Sequence, residues 1–345
     1  MGIDLVLKAT PNISGRSILI TDKKVYLAKD TSGYGNEIFA YSRSGFTINP
    51  TATSSLNLTL EGYSTVIRSI KTNGSTIFCG GSAGSYQLLW GLEIDENGDF
   101  TGNNSQYVYW TSASVGALND ILWDTIGVVF ASFTDTNVRA YTFTQAGGFV
   151  WKHTSTLDKS YGKYKLCTDG TYKYVTSKGD YSINYVQTFS YSIVDGFSVV
   201  SNSAEAGLGT GNNYSGYFDG NYYYYTSGGS VELRLYKCSL SSGVITRGIY
   251  CIINPDSICD DGIYLHCRIT DYVRVVRKSD MTIVGSYFID SIETPYYNDI
   301  EFYDGYIFVC SNTSAVNVLA LEVVAQFTTD KVSGHAPLTV QFTAI

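Results

Sequence analysis

This chain is poor in histidine: only His153, His266 and His335 occur among its 345 residues. A Ser-His-Asp arrangement has little to draw on. Neither a Gly-x-Ser-x-Gly elbow nor a phosphate-binding P-loop is present. Basic runs are also missing, and 23 Lys+Arg against 31 Asp+Glu leave a net charge of −8, so the positive footprint that neutralises nucleic-acid phosphates is lacking. No nucleic-acid partner is expected. No window stays apolar for a membrane-spanning length, which argues against membrane insertion. Met1-Gly2-Ile3-Asp4-Leu5-Val6-Leu7-Lys8 has neither the basic nor the apolar region of a secretory signal. Val6 also breaks the myristoylation pattern. Long helical periodicity is absent, which turns attention to strands.

What is abundant suits strands. The apolar fraction is 44%, with 30 Tyr and 16 Phe, residues that fit a pleated, half-buried surface. The seven cysteines form no Cys-x-x-Cys pair. Cys79, Cys167, Cys238, Cys259, Cys267 and Cys310 fall in predicted strands and read as small buried apolar groups. Cys251, Cys259 and Cys267 recur every eight residues, a spacing open to redox chemistry or bridging.

A turn signature repeats along the chain. Phe302-Tyr303-Asp304-Gly305-Tyr306-Ile307-Phe308-Val309-Cys310 runs apolar residues into an Asp-Gly pair and out again, the signal of a tight hairpin with a type I′ turn. Asp22-Lys23, Asn73-Gly74, Asp124-Thr125, Asp169-Gly170, Asp219-Gly220 and Asp261-Gly262 read as equivalents. The seven copies lie about 47 residues apart, the spacing of four-stranded propeller blades. The fold class is therefore all-β: a seven-bladed propeller of four-stranded antiparallel blades. Its first blade, for example, reads as Ser17-Ile20, Val25-Ala28, Ile38-Tyr41 and Phe46-Ile48.

The seventh unit supplies only three strands, Asp299-Tyr303, Tyr306-Cys310 and Val316-Glu322. Ile3-Leu7, by contrast, precedes the first unit and belongs to none. An open ring would expose unpaired backbone at both ends, so Ile3-Leu7 is expected to pair as the missing outer strand. Removing residues 1–10 should then lower the melting temperature sharply. Stretches rich in Ser, Gly, Asn and Thr, chiefly Asn49-Thr65 and Asn202-Ser215, read as irregular linkers able to carry function.

Two resemblances follow from quoted residues. Ser333-Gly334-His335-Ala336-Pro337-Leu338-Thr339-Val340-Gln341-Phe342-Thr343 resembles the start of a PKD domain, an immunoglobulin-like sandwich of extracellular proteins. That implies a propeller over residues 1–323 and the opening of a PKD module over 324–345, with the sandwich continuing beyond it. Tyr306-Ile307-Phe308-Val309-Cys310-Ser311-Asn312-Thr313-Ser314-Ala315-Val316-Asn317-Val318 resembles the YVTN type of surface-protein propeller. Together they imply an extracellular, non-enzymatic structural or adhesive role. The initiator Met1 without an export signal points to a virion tail or capsid appendage, with partners in the same assembly. An exported archaeal or bacterial surface-layer or adhesion protein is the first alternative. A polysaccharide-cleaving propeller enzyme with channel carboxylates is the second.

Few residues stand out as ligand-binding. Asp95, Asn97 and Asp99 alternate like a calcium loop, although Gln106 stands where a closing Glu would be; no other cofactor or metal is expected. The turn carboxylates read as structural, because Asp and Asn tolerate the positive φ of such turns. Strand-borne aromatics, Tyr222 and Tyr224 with Tyr107 and Trp110, are the candidates for glycan stacking.

Overall fold

The computed structural model describes residues 2–29, 37–60, 63–102, 106–111, 117–135, 137–157, 164–178, 183–206, 215–228, 232–269, 271–289, 299–310, 315–324, 327–329 and 342–344. Every named element is a β-strand. The first, β1 (Gly2–Ala9), stands apart from the blade that follows it. Blade 1 is β2 (Ser17–Ile20), β3 (Lys24–Lys29), β4 (Glu37–Ser44) and β5 (Thr47–Asn57). Blade 2 has a short edge piece, β6 (Thr59–Leu60), then β7 (Tyr63–Thr72), β8 (Thr76–Ala83), β9 (Tyr86–Glu93) and β10 (Gln106–Thr111). Blade 3 is β11 (Leu118–Asp124), β12 (Val128–Phe133), β13 (Asn137–Thr144) and β14 (Gly148–Thr156). Blade 4 follows with β15 (Tyr164–Thr168), β16 (Tyr172–Lys178), β17 (Ile183–Ser192) and β18 (Gly196–Ala206). Blade 5 holds β19 (Gly216–Phe218), β20 (Tyr223–Gly228), β21 (Leu233–Ser241) and β22 (Val244–Cys251). Blade 6 holds β23 (Ser257–Asp260), β24 (Tyr264–Ile269), β25 (Tyr272–Arg277) and β26 (Thr282–Phe288). Blade 7 contributes β27 (Ile300–Tyr303), β28 (Tyr306–Val309) and β29 (Asn317–Val324).

Blade 7 is completed by β1, which pairs antiparallel with β29 from Gly2↔Val324 to Ala9↔Val318. The predicted latch is therefore present, and Leu5 packs into the core between blades 6 and 7 beside Cys259, Ile300 and Leu319. Seven apolar clusters fill the structure, one between each pair of adjacent blades. The last of them joins Ile18, Val25 and Leu27 of blade 1 to Phe308, Cys310 and Val318 of blade 7. Each blade is thus sandwiched between two others, which is how a propeller buries both faces of every sheet.

The linker reading fails at Asn49-Thr65. Here β5 runs on to Asn57 and pairs with β4, and β6 and β7 follow almost at once. Exposed Thr51, Thr53, Ser55 and Asn57 alternate with half-buried Ala52, Ser54 and Leu56. An outer strand faces water along much of its length, so its polar side chains hide the period of two. In blades 1, 3, 4, 5 and 6 the outermost pair also carries a register shift, which twists the exposed edge.

After blade 7, β30 (Phe327–Thr329) pairs antiparallel with β31 (Phe342–Ala344). The PKD-like motif otherwise lies outside the described residues, as does most of Asn202-Ser215.

Candidate functional site

The innermost strands line a central cavity of about 330 Å³. Alternate residues of an inner strand point into it, giving two tiers. In the first tier are Ser69, Asp120, Lys165, Ser215, Ser257 and Asp299, with Lys71, Leu122, Cys167, Tyr217, Cys259 and Glu301 two residues further on.

The first tier ties blades together. Asp120 Oδ1 accepts from Ser69 Oγ of blade 2 at 2.6 Å, and its Oδ2 accepts from the Leu166 N–H of blade 4 at 3.0 Å. Asp299 does the same across the ring closure, accepting from Ser257 Oγ at 2.8 Å and from Ser17 Oγ at 3.4 Å. A buried carboxylate is tolerable only with such donors. Both are satisfied and structural.

The second tier differs. Glu301 lines the cavity, and among the described residues its carboxyl has neither a hydrogen bond nor a close ion pair. Burial raises its pKa to about 7; Lys71 pulls it down, Asp299 pushes it up and Lys165 pulls it down. Burial alone would lower the pKa of the Lys71 ammonium, but Asp120, Glu301 and Asp299 outweigh it and hold the group above an ordinary lysine. Burial also pushes the Cys167 thiol up to about 12 and lifts Cys259 well above the ordinary value. Neither thiol ionises near neutrality, so neither is a ready nucleophile. Tyr217 is raised by burial and by neighbouring Asp260, to which it is hydrogen-bonded. The cavity thus offers one unpartnered carboxyl poised near neutrality and two ammonium groups, inside a protein of net charge −8.

The hairpin turns behave otherwise. In blades 2, 4, 5 and 6 the first turn residue caps the N–H groups two and three residues on with Oδ1: Asp169 accepts from Thr171 N at 2.8 Å and Tyr172 N at 2.6 Å. Asn73, Asp219 and Asp261 repeat this. The positive φ falls on the glycine that follows, +91° at Gly170 and +96° at Gly220. Only Asp304 adopts the positive φ expected of these residues, 54° followed by 82° at Gly305, the two-residue type I′ turn. Asx capping, rather than tolerance of left-handed backbone, therefore explains four of the seven repeated turn residues, Asn73, Asp169, Asp219 and Asp261. The second oxygen is used as well: Asp169 Oδ2 accepts from Tyr174 OH at 2.5 Å, and Asp219 Oδ2 from Tyr224 OH at 3.0 Å. Asp261 Oδ2 meets His266 Nε2 at 3.1 Å.

Asp95, Asn97 and Asp99 lie in a loop of blade 2. Asp95 Oδ1 caps the N–H groups of Asn97 and Asp99. The Asp99 carboxylate meets Lys24 Nζ at 2.8 Å and accepts from Ser54 Oγ at 3.0 Å and from Thr53 Oγ1. Burial would raise its pKa, but these bonds hold it below the ordinary value. Among the described residues no group of three metal-binding side chains gathers. All seven cysteines are free thiols, six of them buried.

The aromatic candidates divide. Tyr224 is fully buried in the core between blades 5 and 6, so it offers no face for stacking. Tyr223 and Tyr225 fill the opposite core, toward blade 4. The four-tyrosine run alternates as expected, but both faces of a blade's second strand are interior. Tyr222 sits at the turn, with Lys237 Nζ 3.9 Å from its ring centre. Trp110 packs on Phe133 and Tyr141 of blade 3. Tyr107 alone of the four lies on an open sheet face, 47% exposed.

Sequence reading missed Glu301, Lys71 and Lys165. For Glu301 and Lys71 the available signal was the shared two-residue step after the tier-one position, visible only once the inner strands are aligned; Lys165 takes the tier-one position itself.

No family model matches the sequence, and no curated protein matches it. Solved structures do. A WD40 domain from Toxoplasma gondii coronin is similar over 93% of this chain and 86% of its own, with a TM-score of 0.65 at 11% identity. A putative 6-phosphogluconolactonase from Bacteroides fragilis is similar over 80% of this chain and 87% of its own (TM-score 0.61, 14% identity). Another from Bacteroides uniformis is similar over 82% and 88% (TM-score 0.62, 13% identity). At these identities the likeness establishes the fold. It also corrects the expectation of a non-enzymatic protein: that expectation rested on scarce histidine and absent nucleophile motifs, and two of these three similar propellers carry an enzyme name. The chain is a seven-bladed β-propeller.

Proposed function

We propose that the central cavity is the active site of a hydrolase for a small anionic ester or lactone, with Glu301 as general acid–base and Lys71 and Lys165 as the binding cations. The supporting observation is Glu301 itself, an unpartnered carboxyl raised to about 7 in a cavity that also holds both ammonium groups. A catalytic acid–base works best with its pKa near the operating pH, and perturbed groups in concave sites mark function more often than structure. The two similar 6-phosphogluconolactonase-like propellers supply the substrate class, a phosphorylated sugar lactone, whose phosphate would neutralise the lysines.

The step balances on this chain's own residues. Glu301 carboxylate takes a proton from water as the water oxygen bonds to the lactone carbonyl carbon. The resulting oxyanion is held by the ammonium field. Its collapse breaks the ring C–O bond, and protonated Glu301 returns its proton to the departing oxygen. The product acid releases its own proton to solvent.

The test is hydrolysis of 6-phosphogluconolactone and of unphosphorylated gluconolactone by the purified chain. The phosphorylated lactone should be preferred, with kcat/KM rising through pH of about 7, and Glu301→Gln should lower kcat by about 10²–10⁴-fold. Wild-type rates equal to spontaneous hydrolysis for both lactones would overturn the reading.

A further inference from the structure

The outer half of blade 2 carries aromatic rings that the cavity chemistry leaves unused. Pairing of β9 with β10 sets Trp90 opposite Tyr107 and Leu88 opposite Tyr109, in unbroken register. The alternation places Tyr86, Trp90, Tyr107 and Tyr109 on one face and sends Val108 and Trp110 into the core between blades 2 and 3. Tyr63 of β7 joins the first set. Neighbouring ring centres lie in contact in a chain: Tyr63 to Tyr86 at 6.5 Å, Tyr86 to Tyr109 at 5.5 Å, Tyr109 to Tyr107 at 6.3 Å and Tyr107 to Trp90 at 4.6 Å. Tyr63, Tyr107 and Tyr109 are 52%, 47% and 45% exposed, whereas Leu88 is 0% exposed and Trp90 6% exposed.

We infer that this strip is a binding subsite for a linear, uncharged oligosaccharide. The outermost pairs of the other blades are broken by register shifts; that of blade 2 is not, so its rings sit on a regular platform. The exposed groups are phenol rings, apolar on their faces and hydrogen-bonding at their tips, which matches the C–H faces and hydroxyls of a sugar ring. No Lys, Arg, Asp or Glu occurs in Tyr86-Gln87-Leu88-Leu89-Trp90 or in Gln106-Tyr107-Val108-Tyr109-Trp110-Thr111, which leaves a charged chain nothing to pair with. The exposed rings form a narrow chain, and Leu88 on the same face is fully buried. A protein partner instead wants a broad patch with a dry apolar centre. Rigid amphipathic Tyr side chains lose little entropy on contact.

The experiment titrates the full chain with cello-, xylo-, manno- and chito-oligosaccharides of one to six units, read by intrinsic fluorescence and by retardation in gels containing the parent polysaccharide. At least one series should bind with affinity that climbs with chain length. The Tyr107→Ala/Tyr109→Ala double variant should weaken it about tenfold, as loss of two aromatic contacts implies, with a cooperative melting transition retained and lactone hydrolysis unchanged. Tyr63→Ala, on a separate strand, should weaken the longer oligosaccharides selectively. Binding of none of the four series would overturn the inference, and so would affinity unchanged in a folded double variant or in Tyr63→Ala.

Discussion

Two sets of carboxylates sit within a few residues of each other on the inner rim of this propeller, and they do opposite things. Asp169, Asp219 and Asp261 at the hairpin turns have both oxygens engaged, one by backbone N–H groups and one by the side chain five residues on. Glu301, inside the ring, has no such partner among the described residues. Hydrogen bonds hold Asp219 and Asp261 below the ordinary carboxylate pKa despite burial, whereas burial raises Glu301 to about 7. An Asp or Asn repeated from turn to turn is structural where the turn poses the same hydrogen-bonding problem, as it does in blades 2, 4, 5 and 6. A carboxylate that occurs once, with no bond to make, is free for chemistry.

The largest effect should come from the carboxylate that is most completely engaged. Asp120→Ala strands Ser69 Oγ and the Leu166 N–H in a buried tier and unties three blades, costing about 3–5 kcal/mol by denaturant unfolding. A loss under about 1 kcal/mol would mean that the tier is not the stitching described here.

Glu301→Gln should act in the other direction on stability. The folded pKa lies above the unfolded value of 4.5, so ionisation opposes folding: the penalty is absent below that value and grows as pH rises toward about 7. The variant should therefore gain on the order of 1–2 kcal/mol at pH 8, discounted for water in the cavity, and nothing at pH 4. Equal melting temperatures for both proteins at both pH values would place Glu301 in the same class as the turn aspartates.

Asp219 and Asp261 give an effect of similar size with the reverse sign. Their folded pKa values lie below the model-peptide value of 3.8, so their contribution is complete above that pH and is lost as pH falls through the folded values. Asp219→Asn keeps the Oδ1 cap and loses the 2.5 Å ion pair with Lys278. It should cost about 1–2 kcal/mol at pH 7 and progressively less as pH falls through the folded value, read from urea midpoints.

How much of this was legible follows from the same contrast. The turns could be read because each is spelled locally, by an Asp or Asn and a glycine between apolar runs, and seven local signals at one spacing specify a ring. The latch could be read because Ile3-Leu7 was surplus and blade 7 was short. Outer strands such as β5 were lost in Ser and Thr, since an edge exposed to water needs no apolar period. The Tyr222-Tyr225 run misled because alternation tells which face a residue takes, not that both faces of a blade are buried. Glu301 could not be read from its own strand. In Asp299-Ile300-Glu301-Phe302 it is one more alternating polar residue, and its environment is made by Lys71 and Lys165 on two other blades.

The finest division lies among the turns themselves. Asp304 is the one turn aspartate with left-handed backbone, at φ 54°, and the described structure shows its side chain capping nothing. Asn tolerates that conformation at least as well, so Asp304→Asn should shift stability by no more than about 0.5 kcal/mol. Asp304→Ala keeps the strain without a compatible side chain and should cost about 1–2 kcal/mol. At Asp169 the order of causes is reversed: backbone φ is ordinary and the oxygens carry the load. There Asn retains the cap on Thr171 and Tyr172, and Ala loses it along with the Tyr174 bond. If Asp304→Ala proved as harmless as Asp304→Asn, positive φ would not be what selects aspartate at that turn.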